Sequence, residues 1–139
     1  MLLGDLLTLR QMKLPVKIIV FNNGSLAFVE LEMKAAGIVN YGTDLENPNF
    51  ADLGRAIGLH GVRVERAGDL DVALDGAFAH DGPAVVEVLT ARQELSMPPK
   101  LTLEQMKGFT LYATRTILSG RGDEIVELAR TNIRGIGLE

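Results

Sequence analysis

The run Lys17-Ile18-Ile19-Val20-Phe21, stopping on Asn22-Asn23, constrains the fold of this chain more than any other stretch. Consecutive β-branched and aromatic residues suit a strand covered on both faces, as in a parallel sheet. Gly24-Ser25 are turn formers, and Leu26, Val29, Leu31 and Met33 then begin a helix-like pattern. Asn22 and Asn23 are therefore expected at the carboxyl end of a parallel strand, where open α/β sheets bind ligands. An asparagine amide offers a neutral, hard oxygen suited to Mg²⁺. Asn-Gly is also a strong hairpin signal, but neither flank alternates as a hairpin strand would. An ordinary turn stays open beside a ligand loop.

The remaining pattern is that of an α/β chain. Residues 2–12 read as a helix, with Leu2, Leu3, Leu6, Leu7, Leu9 and Met12 apolar, ended before Pro15. Residues 17–21 form the first strand, and 25–35 a helix closing on Gly37 as a left-handed cap. An irregular loop over 38–48 precedes a helix over 49–57, with Phe50, Leu53, Ala56 and Ile57 on one face and Gly58 at its end. Residues 61–65 alternate as a second strand, Asp69 can cap a helix to about Phe78, and 84–90 form a third strand. Strands alternating with helices imply right-handed crossovers and a doubly wound parallel sheet. After Pro98-Pro99, Thr102 and Gln105 form a capping box for a helix over 103–118, ended by Gly120 and Gly122. Asp123 then caps a short helix to about Asn132, and the tail from Gly135 to Glu139 looks frayed. The chain opens inside a helical pattern with no preceding strand, so it is expected to begin partway through a domain.

Composition excludes several functions. The formal net charge of -4 leaves no basic stripe to neutralise phosphates, which argues against a nucleic-acid partner. Cysteine is absent, so disulfides, thiolate chemistry and cysteine-based zinc sites are excluded, and the cytoplasm is a compatible compartment. No apolar run is long enough to span a bilayer. His60 and His80 read as isolated strand-start and turn residues, and no self-contained catalytic constellation is present. Glu30, Glu32 and Lys34 read as the solvated face of a helix. Asp44, Glu46 and Asn47 could gather a cation, but capping the helix near Asn49 is the simpler role. A core position is the default for Phe28, although it follows the asparagine loop closely enough to face a ligand. Arg115, Arg121, Arg130 and Arg134 lie beside Ile117, Leu118, Ile125, Val126 and Leu128. Such a segment can lie on a membrane, yet Asp123, Glu124 and Glu127 dilute its charge, and a packed or solvated helix suits the pattern.

Residues 14–23, Leu-Pro-Val-Lys-Ile-Ile-Val-Phe-Asn-Asn, resemble the end of the thiamine-diphosphate motif that starts with Gly-Asp-Gly and finishes on Asn-Asn. Residues 44–58 resemble the following loop and helix of that domain. Residues 103–109 and 119–124 resemble one branch, the bacterial pyruvate oxidases that donate electrons to quinone (pyruvate dehydrogenase, quinone). The resemblance implies the C-terminal part of a thiamine-diphosphate-binding domain over 1–97 and a helical extension over 98–139. It implies thiamine diphosphate held near Asn22, Asn23, Gly24, Ser25, Leu26 and Phe28. It makes the Asn23 side chain and the Ser25 backbone carbonyl ligands of Mg²⁺, with Asn22 shaping the loop. No residue here is implied to be catalytic. The sequence contains no Gly-Asp-Gly, whose aspartate is the other metal ligand and would by spacing fall just before Met1. The activating glutamate and the flavin domain are also missing, so the chain alone is expected to be inactive. The complete enzyme would decarboxylate pyruvate and pass electrons through FAD to quinone, with Phe28 near that route. It would act as a homo-oligomer or with a partner chain, peripherally on the inner face of the cell membrane through its C-terminal helices. An acetolactate-synthase relative shares the Asn-Asn element, but usually shows a Trp-Gln helix where this chain has Glu30-Leu31-Glu32-Met33-Lys34. A non-catalytic module that docks onto another chain is the third reading.

Overall fold

The β-branched and apolar runs do form strands. In a computed structural model that describes residues 3–92 and 102–135, with side chains to Asn132, they are β1 (Lys17–Asn22), β2 (His60–Val64) and β3 (Ala84–Leu89). The helices are α1 (Asp5–Met12), α2 (Ala27–Ala35), α3 (Phe50–Ala56), α4 (Leu70–Ala79), α5 (Leu103–Leu118) and α6 (Gly122–Gly135). The expected element order is present, with a 3₁₀ turn over Ala67–Asp69 added before α4. Pro98-Pro99 and the tail beyond Gly135 lie outside the described residues.

The chain divides into two compact units. The first holds the residues up to Asn23 together with Glu46–Thr90. Its three strands lie in the order β1-β3-β2, and both pairings are parallel. Lys17 pairs with Ala84 and Asn22 with Leu89, while His60 pairs with Ala84 and Val64 with Val88. Successive side chains of β3 point to opposite faces, and both faces are covered. Ala84, Val86 and Val88 pack with Val64 and with Ala73 and Ala77 of α4. Val85 packs with Phe50 of α3 and Leu59, joined by Leu6 of α1 and by Ile18 and Val20. A strand buried on both sides cannot alternate, which is why β3 is written as a nearly unbroken apolar run. This is the doubly wound α/β architecture that the pattern implies.

The second unit holds Gly24–Leu45 and the residues from Ala91 onward. In it α2 packs against α5, and α5 against α6. The helix α2 starts two residues later than its pattern suggests, because Ser25 is drawn into an antiparallel bridge with Asp44. It closes as expected on Gly37, at φ 74°. The Gly37 N–H donates to the Lys34 carbonyl and Ile38 N–H to the Met33 carbonyl at 2.8 Å, a Schellman cap. Gly108 on α5 sits where an added Cβ would overlap the Ala35 carbonyl oxygen. The two helices approach that closely because the residue has no side chain.

Three helix starts differ from expectation. The cap of α3 is Asn49, whose side chain accepts from Asp52 N–H at 2.9 Å. Of the expected face Phe50, Leu53, Ala56 and Ile57, Phe50 is buried, Leu53 and Ile57 are half-buried and Ala56 is exposed, while Ala51 and Gly54 are buried as well. Asp69 makes no side-chain cap; it pairs with Arg66 at 2.8 Å instead. Asp123 lies inside the first turn of α6. The capping box of α5 is present in full, with Gln105 N–H to Thr102 Oγ1 at 3.2 Å and Thr102 N–H to Gln105 Oε1 at 2.9 Å. Thr102→Ala is therefore expected to cost about 1 kcal/mol in urea unfolding.

Candidate functional site

In the first unit, β1 ends on Asn22, whose carbonyl accepts from Thr90 N–H at 3.1 Å and so carries the ladder past Leu89. Both ends of the Asn22 amide are engaged. Its Nδ2 donates to Glu87 Oε1 at 2.7 Å, and its Oδ1 accepts from Asn47 Nδ2 at 2.9 Å. The carboxylate accepts only, so it dictates which end of the amide faces it.

Glu87 is wholly buried in β3. Besides Asn22 it accepts from Phe50 N–H at 3.0 Å and Ala51 N–H at 3.4 Å, and from Arg63 Nη1 at 3.2 Å. Two of these donors are backbone groups at the start of α3, where a carboxylate is favoured by the helix dipole. Sequence reading passed over Glu87 as one polar residue in a strand. The available signal was a lone acid within a run of buried apolar residues, since such an acid persists only where donors converge. Of the candidate cation ligands Asp44, Glu46 and Asn47, Asn47 donates to Asn22 within the first unit and Asp44 pairs with Arg92 within the second. Among the described residues no three of His, Cys, Asp and Glu gather as a metal site.

In the second unit the loop opens on Gly24, at φ 64°. The Gly24 carbonyl accepts from Leu45 N–H and the Leu26 N–H donates to the Thr43 carbonyl, each at 2.9 Å. These flanking residues make the ladder bonds of the Ser25–Asp44 bridge. The Ser25 hydroxyl turns inward and donates to Glu30.

Glu30 and Lys34 overturn the expectation of a solvated helix face: each is 1% exposed, whereas Glu32 is exposed. Glu30 also accepts from Lys34 Nζ at 2.9 Å, Thr43 Oγ1 at 3.0 Å, Asn40 Nδ2 at 3.1 Å and Arg92 Nη2 at 3.2 Å. Burial alone would raise the Glu30 pKa. The hydrogen bonds from Ser25 and Lys34, the Lys34 charge and the Thr43 hydroxyl outweigh it and hold the carboxyl below its ordinary range. Lys34 in turn lies 5.7 Å from the centre of the buried Tyr112 ring.

Phe28 is 78% exposed, so the core default fails, and Leu26 is exposed as well. His60 and His80 are not isolated: their rings stack with centroids 4.9 Å apart. Arg115 donates to the Gly37 carbonyl at 2.7 Å, and Arg121 to Glu124 at 2.6 Å and the Asn40 carbonyl at 3.3 Å. Those two arginines brace their own unit. Ile117, Leu118 and Val126 are exposed. No helix of the described residues is long and apolar enough to cross a membrane.

A parallel sheet covered on both faces defines an α/β domain, a class in which ligands bind at the carboxyl ends of the strands. The family described as thiamine pyrophosphate enzyme, C-terminal TPP binding domain, matches residues 1–88, and the chain belongs to that family. The Bacillus subtilis (strain 168) protein YdaP, whose given name describes it as containing thiamine pyrophosphate, is 31% identical over 94% of this chain and 23% of its own length. The mitochondrial acetolactate synthase of Schizosaccharomyces pombe is 35% identical over 68% of this chain and 14% of its own. The acetolactate synthase isozyme 2 large subunit of Escherichia coli is 31% identical over 60% and 16%. The chain thus spans a quarter or less of the length of these relatives.

Proposed function

We propose that this chain supplies the diphosphate- and Mg²⁺-binding loop of a thiamine-diphosphate enzyme that decarboxylates pyruvate. The observation that carries the reading is the end of β1. Asn22 is locked there by Glu87 and Asn47, and the next residue is an amide with a hard oxygen. The donor set fits the metal. Asn23 offers a side-chain oxygen, and the resemblance implies the Ser25 backbone carbonyl, whose neighbouring hydroxyl donates to Glu30. Mg²⁺ so held would neutralise diphosphate charge. A charged ligand would come from outside these residues, as would the groups that activate the cofactor. When bound, the cofactor supplies a nucleophilic thiazolium carbon for cleaving the bond between a keto carbon and its carboxylate. The residues of this chain hold and orient it, with Leu26 and Phe28 offering exposed apolar surface beside the loop.

Within that class we favour an oxidase that passes electrons through FAD to quinone, on the resemblance of residues 103–109 and 119–124 and on the exposure of Phe28. The C-terminal helices would then rest on the membrane surface. The acetolactate-synthase reading is favoured by two of the relatives, which carry that name. Incubating the complete enzyme that contains this chain with pyruvate, thiamine diphosphate, Mg²⁺ and a quinone separates the two. Acetate with quinone reduction supports the oxidase, and acetolactate supports the synthase. Asn23→Ala is expected to weaken Mg²⁺-dependent cofactor binding by about 100-fold or more, beyond the cost of losing an outer partner. Unchanged binding by calorimetry would remove Asn23 from the site.

A further inference from the structure

We propose that Glu30 is a positioning residue for the metal: through the Ser25 hydroxyl it aims the Ser25 backbone carbonyl at the ion. This rests on the reading that Ser25 is a metal ligand. Its own support is the geometry of the second unit. Ser25 is buried, and its hydroxyl donates to a carboxylate that is itself 1% exposed. That carboxylate is held in turn from the helix by Lys34, from the loop by Asn40 and Thr43, and from beyond β3 by Arg92. Groups that brace a metal ligand from behind set its direction, and their loss weakens metal binding although no ligand atom is touched.

Glu30 is not itself a ligand. It already accepts from five side chains, two of them cationic, and a divalent ion would have to displace those donors. The loop is pinned a second time by the ladder bonds from Leu26 to Thr43 and from Leu45 to Gly24. Thr43 serves both devices, through its carbonyl to Leu26 and its hydroxyl to Glu30. The hydroxyl can be removed while the carbonyl stays.

The test is the Mg²⁺ concentration that half-saturates thiamine diphosphate binding to the purified protein, measured by calorimetry beside the thermal midpoint. Glu30→Gln and Thr43→Val are expected to raise it by about 10-fold or more, with cofactor affinity recovered at high Mg²⁺. Thr43→Ser keeps the hydroxyl and is expected to restore the wild-type value. Glu32→Gln removes the same charge from the exposed face of α2 and is expected to leave it unchanged. A brace with no metal role moves the thermal midpoint alone. Folded Thr43→Val and Glu30→Gln proteins that stay within about twofold of wild type would therefore overturn the proposal. If Asn23→Ala abolishes the Mg²⁺ dependence while those two do not, the metal reading stands and this inference falls alone. A wild-type protein whose cofactor binding ignores Mg²⁺ sinks both.

Discussion

Gly108→Ala is expected to destabilise the second unit by about 2–3 kcal/mol, read as a fall in the urea midpoint. Two effects compete. Alanine is the better helix former by about 1 kcal/mol. Against that, the new Cβ would overlap the Ala35 carbonyl oxygen and lie 3.3 Å from the Gly37 amide nitrogen. The obstacle is backbone, which cannot rotate aside as a side-chain end would, so the whole of α2 or α5 must shift. The clash wins. Gly76 on α4 is the control, because its added Cβ would meet nothing within 4 Å. There the same substitution is expected to stabilise by about 0.5–1 kcal/mol. A neutral Gly108→Ala would mean that α2 and α5 pack less closely than described.

Glu30→Ala is expected to cost about 3–5 kcal/mol, the range for breaking a buried ion pair from one side. Lys34 would lose its buried anionic partner, and the donors on Ser25, Asn40 and Thr43 would lose their acceptor. The same carboxylate makes stability depend on pH. Its pKa in the folded chain lies below the ordinary value of 4.5. The unfolded state therefore takes up the proton first as pH falls. Glu30's contribution is complete above about 4.5, shrinks as pH drops through that value, and is lost once pH passes below the folded-state value. Urea titrations at a series of pH values are expected to show a steeper acid loss in wild type than in Glu30→Gln. Parallel curves would show that Glu30 is not linked to folding.

The scaffold was legible because its signals are local. The runs at 17–21 and 84–90 and the Thr102–Gln105 box each need only a few neighbouring residues to be recognised. The start of α3 was half legible: capping was expected there, and Asn49 does it, while Asn47 goes to Asn22. Glu30 and Lys34 were misread because an acid and a base four apart on a helix usually mark a solvated face. What buries them arrives from elsewhere in the chain: Asn40 and Thr43 from a loop without periodicity, and Arg92 from 62 residues away. Glu87 is the same case in the first unit, its partners being spread over three elements. Phe28 failed in the other direction, since one aromatic carries no record of which way its helix turns. The loop residues Asn22 to Ser25 were legible as a motif, but the two carboxylates behind them were not.

The strand order has a consequence for how the chain is made. Of the three strands, β3 leaves the ribosome last, yet it alone pairs with both of the others. Among the described strands, β1 and β2 have no ladder to join until Ala84–Leu89 has emerged. Closing the sheet must bring Lys17 and His60 to the same residue, Ala84, and long-range closures of this kind set slow folding rates. Translation interrupted before residue 84 leaves β1 and β2 without the strand that joins them, and open strand edges pair with whatever strand is nearest. The described sheet is therefore most exposed to mispairing during the interval that ends when Leu89 appears.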